Sequence, residues 1–202
     1  MIAVLDYGVG NIFSLSASLK YIGKEACLTR DKDVIRRADR VILPGVGAFA
    51  DAKRKLFESG MDKALIEAVK SGKPTLGICL GMQLMFDKSF EYGEHEGLSL
   101  IGGSIVPVKD VSGEDVKIPH MGWNKLHFTK KNELFSLCNE GEYVYFVHSY
   151  CASDCDDFVT ATTDYGAPLT AAAANKNVYA VQFHPEKSGE TGLNILRAFC
   201  RI

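Results

Sequence analysis

The sequence has no surplus of charge of either sign. Its 23 Lys and Arg stand against 25 Asp and Glu, a formal net charge of -2 over 202 residues. A nucleic-acid or anionic-membrane surface needs a basic stripe, so the balance removes the electrostatic case for either partner. No apolar run approaches the ~20 residues that cross a bilayer. The opening Met1–Asp6 has no basic head and only a short apolar stretch. It reads as a strand and not as a secretory leader, and the expected compartment is the cytoplasm. Proline is scarce, at six residues, and there is no low-complexity segment, internal repeat or linker. Disordered and fibrous classes are thereby excluded, and 1–202 is expected to be one domain. Six cysteines could form three disulfides, but a reducing compartment and a core-forming length favour free, buried thiols.

Cofactor motifs are also missing. Gly8-Val9-Gly10 lacks the third glycine of a dinucleotide fingerprint, because Phe13 stands there. Pro44-Gly45-Val46-Gly47 is not followed by the Gly-Lys-Ser/Thr of a phosphate loop. Cys151 and Cys155 form a lone thiol pair with no second pair at zinc spacing. Neither cofactor nor metal is expected.

The first half alternates strand-like runs with amphipathic stretches. Ile2–Tyr7, Lys24–Arg30, Arg40–Pro44 and Pro74–Cys79 read as strands. Segments carrying Ile12, Leu15, Leu19 and Ile22, then Phe49, Ala52, Leu56 and Phe57, then Met61, Leu65, Ala68 and Val69, have helical spacing. Met82–Phe90 is expected to be helical. Such alternation implies an α/β fold with an open, mostly parallel central sheet flanked by helices. In the second half, Gly103–Lys109, Asn124–Thr129, Glu142–Tyr150, Phe158–Thr163, Leu169–Ala174 and Asn177–Phe183 read as strands with short turns. They predict an antiparallel or mixed extension of the same sheet. A last helix carries Leu193, Leu196, Phe199 and Cys200. Asp87–Gly122 is the least readable stretch.

Gly77-Ile78-Cys79-Leu80-Gly81 follows an apolar strand and precedes a helix. This is a nucleophile elbow with Cys in place of Ser. The turn is so sharp that its flanking positions must be tiny, and the nucleophile projects outward on strained backbone. A thiol there faces the start of a helix, which favours thiolate. The Leu80 amide is a ready oxyanion donor. Residues i and i+2 of an extended segment share a face, so His184 and Glu186 of Gln182-Phe183-His184-Pro185-Glu186 can pair. A carboxylate beside an imidazole fixes its tautomer and raises its basicity. Cys79, His184 and Glu186 then form a nucleophile, base and orienter. His120 and His148 are competing histidines without an acid at that spacing. Pro44-Gly45-Val46-Gly47 ends a strand on the edge where open α/β sheets bind ligands, and its glycines let backbone amides approach one.

The cysteine elbow, the His-Pro-Glu segment and the Pro-Gly-Val-Gly loop resemble those of class I, triad-type glutamine amidotransferases. Asp6–Asn11, Pro119-His120-Met121-Gly122-Trp123-Asn124 and Phe146–Tyr150 narrow the resemblance. Together they are similar to the glutaminase subunits of imidazole glycerol phosphate synthases, in histidine biosynthesis. The resemblance implies that Cys79 attacks L-glutamine, His184 transfers the protons and Glu186 orients His184. It places oxyanion stabilisation at Val46, Gly47 and Leu80, with a peptide flip in the loop. It assigns the amino-acid end of the substrate to Gly47, Gln83, Glu91, Ser149 and Tyr150. Asn11, Met121, Trp123 and Asn124 would face a separate cyclase subunit that receives ammonia in a heterodimer and makes imidazole glycerol phosphate and AICAR. Other readings stay open at this point. One is a paralogue feeding another acceptor, for example in sugar amidination. Another is a cysteine peptidase-like α/β hydrolase, and a third is a non-catalytic regulatory subunit.

Overall fold

Each of the four residues of β1 (Ile2–Leu5) is buried. Ile2 and Val4 join one core cluster while Ala3 and Leu5 join another. That division is the period-two alternation of a strand covered on both faces. The computed structural model describes residues 1–202. After β1 come α1 (Ile12–Tyr21), β2 (Ala26–Thr29), α2 (Lys32–Arg37), β3 (Arg40–Leu43), α3 (Phe49–Glu58), α4 (Met61–Lys70), β4 (Thr75–Ile78) and α5 (Leu80–Leu84). The chain continues with β5 (Phe86–Ser89), β6 (His95–Glu96), β7 (Ile101–Pro107), α6 (Val108–Ser112), β8 (His120–Lys125), β9 (His127–Phe128), β10 (Tyr143–His148) and β11 (Tyr150–Ser153). It ends with β12 (Val159–Tyr165), β13 (Ala167–Asn175), β14 (Val178–Val181) and α7 (Gly189–Phe199).

An eight-stranded sheet runs in the order β2-β1-β3-β4-β14-β13-β12-β9. The pairs from β2 to β14 are parallel, and β13, β12 and β9 extend the sheet antiparallel. The order doubles back at β1, and crossovers leave from both of its sides. Ligands of open α/β sheets bind in the crevice beyond the carboxyl ends of the strands at such a point. On one face, α2 to α5 pack with Phe49, Leu56 and Leu65; on the other, α1 and α7 pack with Leu15, Leu19, Leu196 and Phe199. No helix is long and apolar enough to cross a membrane.

The structure corrects the expected elements in three ways. The extension is not one sheet: β8 and β10 form a separate antiparallel pair, and β11-β7-β5-β6 form a small mixed sheet. The helix expected over Met82–Phe90 ends at Leu84, and Phe86–Ser89 is strand. Every residue from Leu80 to Phe86 is buried, so the run carries no periodicity to separate helix from strand. The strands expected over Asn124–Thr129 and Glu142–Tyr150 each break in two, at Leu126 and Ser149. Two short helices, α2 and α6, were not anticipated. The first is capped by Asp31, whose carboxylate accepts from the Asp33 amide.

Candidate active site

Cys79 stands between β4 and α5 with φ 54° and ψ -112°. That backbone is uncommon for a residue with a side chain and persists only where the surroundings enforce it. The enforcement comes from the flanking glycines. A Cβ at Gly77 would lie 2.7 Å from Met85 Sδ and 2.9 Å from the Gly81 carbonyl oxygen. A Cβ at Gly81 would collide with the Leu43 carbonyl at the end of β3. Gly45 completes this packing, since a Cβ there would meet the Gly81 amide nitrogen at 2.7 Å and the Tyr7 hydroxyl at 2.9 Å. The elbow and the Pro44–Gly47 loop are thus pressed together through glycine. The Tyr7 hydroxyl, buried, donates to the Pro44 carbonyl at 2.7 Å and ties the loop to the end of β1. Tyr7 was not singled out from sequence, because a lone Tyr after a strand carries no spacing signal.

His184 lies past the end of β14 and is 2% exposed. Its amide donates to the Tyr145 carbonyl at 2.9 Å, and its own carbonyl accepts from Ser188 Oγ. His184 Nδ1 meets Glu186 Oε1 at 2.8 Å, with both side chains buried. The pairing was expected from an extended segment. In fact only His184 is extended, and Pro185–Lys187 is a 3₁₀ turn that swings the carboxylate back to the ring. Burial pulls the His184 pKa down. Hydrogen bonding and charge from Cys79 and Glu186 outweigh it and raise it to about 9. The imidazolium is therefore the favoured form beside a sulfur and a carboxylate.

A cleft of about 280 Å³ opens over Cys79. Val46, Gly47, Leu80, Gln83, Glu91, Ser149, Tyr150 and His184 line it, together with Pro119, Val147 and His148. The amides of Val46 and Gly47 take no partner within the chain, and Gly47 has φ 98°. The Leu80 amide opens α5, where a helix leaves its first donors free. One Glu91 oxygen is already committed: it accepts from the Phe49 amide and caps α3. The helix dipole invoked for the thiol belongs to a helix of only five residues, so groups touching the sulfur matter more. Burial raises the thiols of Cys138 and Cys151 to about 12 and pushes those of Cys155 and Cys200 up as well.

The four residues expected at a partner surface divide. Met121 and Trp123 are exposed on β8, at 63% and 52%. Asn11 is half-buried at the start of α1. The Asn124 amide is turned inward, donating to the Asp164 carbonyl at 3.0 Å and contacting His120 Nε2 at 2.9 Å.

Known proteins match this chain over its length. The model of the family "Glutamine amidotransferase class-I" matches residues 3–202. A protein of Caldanaerobacter subterraneus subsp. tengcongensis named imidazole glycerol phosphate synthase subunit HisH is 48% identical over 200 residues, 98% of this chain and 97% of that one. The protein of that name from Wolinella succinogenes is 46% identical over 204 residues, covering 100% of both. A solved structure of PurLQS from Thermotoga maritima superposes with a TM-score of 0.76 at 20% identity, covering 99% of this chain and 97% of that one. At that identity the likeness speaks for the fold. Taken with the geometry of the cleft, these matches place the chain in the class-I glutamine amidotransferase family.

Proposed function

We propose that this chain is the glutaminase subunit of an imidazole glycerol phosphate synthase. It releases ammonia from L-glutamine and passes it to a separate cyclase subunit in histidine biosynthesis, in the cytoplasm. The observation that carries the chemistry is the convergence of Cys79, His184 and the paired Glu186 at a cleft walled by free amides. The partner is supported by the names of full-length relatives and by the exposed Met121 and Trp123.

Cys79 Sγ attacks the side-chain amide carbon of glutamine, and the carbonyl oxygen becomes an oxyanion. Leu80 and the Val46–Gly47 loop supply its donors. In comparable sites one such donor is worth ~2.7–4 kcal/mol of transition-state stabilisation. The His184 imidazolium gives its proton to the departing nitrogen, so ammonia leaves and a thioester remains. His184, now neutral, takes a proton from water as the water attacks the thioester. Glutamate departs and the cysteine is regenerated. Glu186 holds the ring through Nδ1 and stabilises its charged form. Ammonia released into bulk water is protonated and ceases to be a nucleophile, so a docked acceptor subunit with a dry passage is a physical requirement.

The test is glutamate release from L-glutamine, measured alone and with the cyclase subunit and its nucleotide ligand. The expected result is release that rises with the complex and disappears in Cys79→Ala. Peptide hydrolysis without glutamine hydrolysis would overturn the reading.

A further inference from the structure

Gln182 is fully buried directly after β14. Its side-chain Nε2 lies 3.7 Å from Cys79 Sγ. Its Oε1 accepts from Gln83 Nε2 at 3.0 Å, and the same Gln83 nitrogen donates to the Tyr150 carbonyl at 3.1 Å.

These contacts settle which way the two amides point. A backbone carbonyl only accepts, so the Gln83 atom facing Tyr150 must be the amide nitrogen. That nitrogen would oppose another donor if Gln182 were reversed. Gln182 therefore turns its oxygen to Gln83 and its nitrogen to the sulfur. Polarity is relayed from a fixed backbone group, through two buried side chains, to the nucleophile.

We infer that Gln182 is a further residue of the glutaminase reaction: its amide N–H donates to Cys79 Sγ and favours the thiolate, and Gln83 is the positioning residue that locks the amide's polarity. A thiolate accepts such a bond far better than a thiol. The Val147 carbonyl, 4.0 Å from Sγ, is an acceptor and favours the thiol instead. Gln182 thus offsets a backbone group that opposes ionisation. The five-residue helix behind the sulfur gives little help, so the Gln182 donor adds to the His184 imidazolium, the other group at the sulfur that favours the thiolate. The inference rests on the glutaminase reading for its place in the reaction, but the contact itself acts on the sulfur with no substrate present.

The test is the pH dependence of Cys79 alkylation by iodoacetamide, followed on the Cys79 peptide by mass spectrometry so that other thiols do not intrude. Gln182→Leu keeps the volume and removes the donor. Its alkylation midpoint is expected to rise by about one to two pH units, the worth of one hydrogen bond to a charged group. Gln182→Glu places an acceptor at the sulfur and is expected to raise the midpoint further. Glutamine KM should change little while kcat at neutral pH falls about tenfold or more. If Gln182→Leu does not fold, Gln83→Met removes the lock together with a residue of the glutamine cleft, and in the substrate-free alkylation assay it is expected to shift the midpoint by less, in the same direction. Folded variants with the wild-type midpoint would overturn the inference. Wild-type protein inert toward glutamine with its cyclase would overturn the proposed function instead, while the alkylation midpoints still decide the role of Gln182.

Discussion

His120 and His148 face each other ring to ring, with Nδ1 of the first 2.9 Å from Nε2 of the second. His148 Nδ1 also contacts the Tyr150 carbonyl at 2.8 Å, and His120 Nε2 contacts Asn124 Oδ1 at 2.9 Å. Both ends of this chain are acceptors. Three contacts therefore need three protons, and two neutral imidazoles supply only two. One added proton would satisfy the pair, but burial opposes it, lowering the His120 pKa and driving His148 down to about 3. The same Tyr150 carbonyl also takes the Gln83 amide, so the pair braces a wall of the cleft.

Acid stability follows from that burial. An unfolded histidine takes a proton near pH 6.5, whereas folded His148 resists until about pH 3. The unfolded state then binds more protons across this window. Stability is fully present above about pH 6.5 and falls toward pH 3, by ~1.4 kcal/mol per pH unit for one proton. Denaturant unfolding at stepped pH checks this. The slope should diminish in His148→Gln.

His184 carries the opposite sign. Its folded pKa of about 9 lies above the ordinary 6.5, so the contribution is complete below pH 6.5 and is lost as pH rises through 9. Replacing Glu186 by Gln removes the carboxylate that supports the charge. The thermal midpoint of wild type is expected to exceed that of Glu186→Gln at pH 6, and the gap should shrink by pH 10. If Glu186 orients His184 as proposed, glutaminase kcat should fall by at least an order of magnitude at neutral pH.

Two glycines near the thiol should fail differently. Gly81→Ala places a methyl against the Leu43 carbonyl, which forces β3 and the elbow apart. Overpacking of this kind costs ~1–3 kcal/mol, and activity should be lost with it. Gly47→Ala meets open space, and only its φ of 98° is unfavourable. Its expected stability loss is about 1 kcal/mol, while kcat should drop ~10²–10³-fold if the loop no longer presents an oxyanion donor. Chemical denaturation and steady-state kinetics on both variants separate the two.

Much of the site was legible because its chemistry is local in sequence. The elbow glycines at 77 and 81 announce a sharp turn, and one cleft brings Val46, Gly47, Gln83, Glu91, Ser149 and Tyr150 together. The parallel half of the fold was legible because buried strands and amphipathic helices differ in period. Gln182 makes long-range contacts to Cys79 and Gln83, and Tyr7 makes one to Pro44; such contacts leave no trace in spacing. The boundary between α5 and β5 was hidden because the buried run from Leu80 to Phe86 spans it, and burial on every side erases periodicity. The satellite sheets depend on pairings across distant segments, such as Tyr143 opposite Lys125, that no local pattern encodes.

The most direct test of the glutaminase-subunit reading follows the nitrogen. Complex of this chain with its cyclase subunit is given amide-labelled L-glutamine, the cyclase's nucleotide substrate and excess unlabelled ammonium. The predicted result is that the imidazole product carries the label undiluted, and that Cys79→Ala yields only unlabelled product. Label diluted to the bulk ammonium ratio in the wild-type complex, or labelled product from Cys79→Ala, would contradict it.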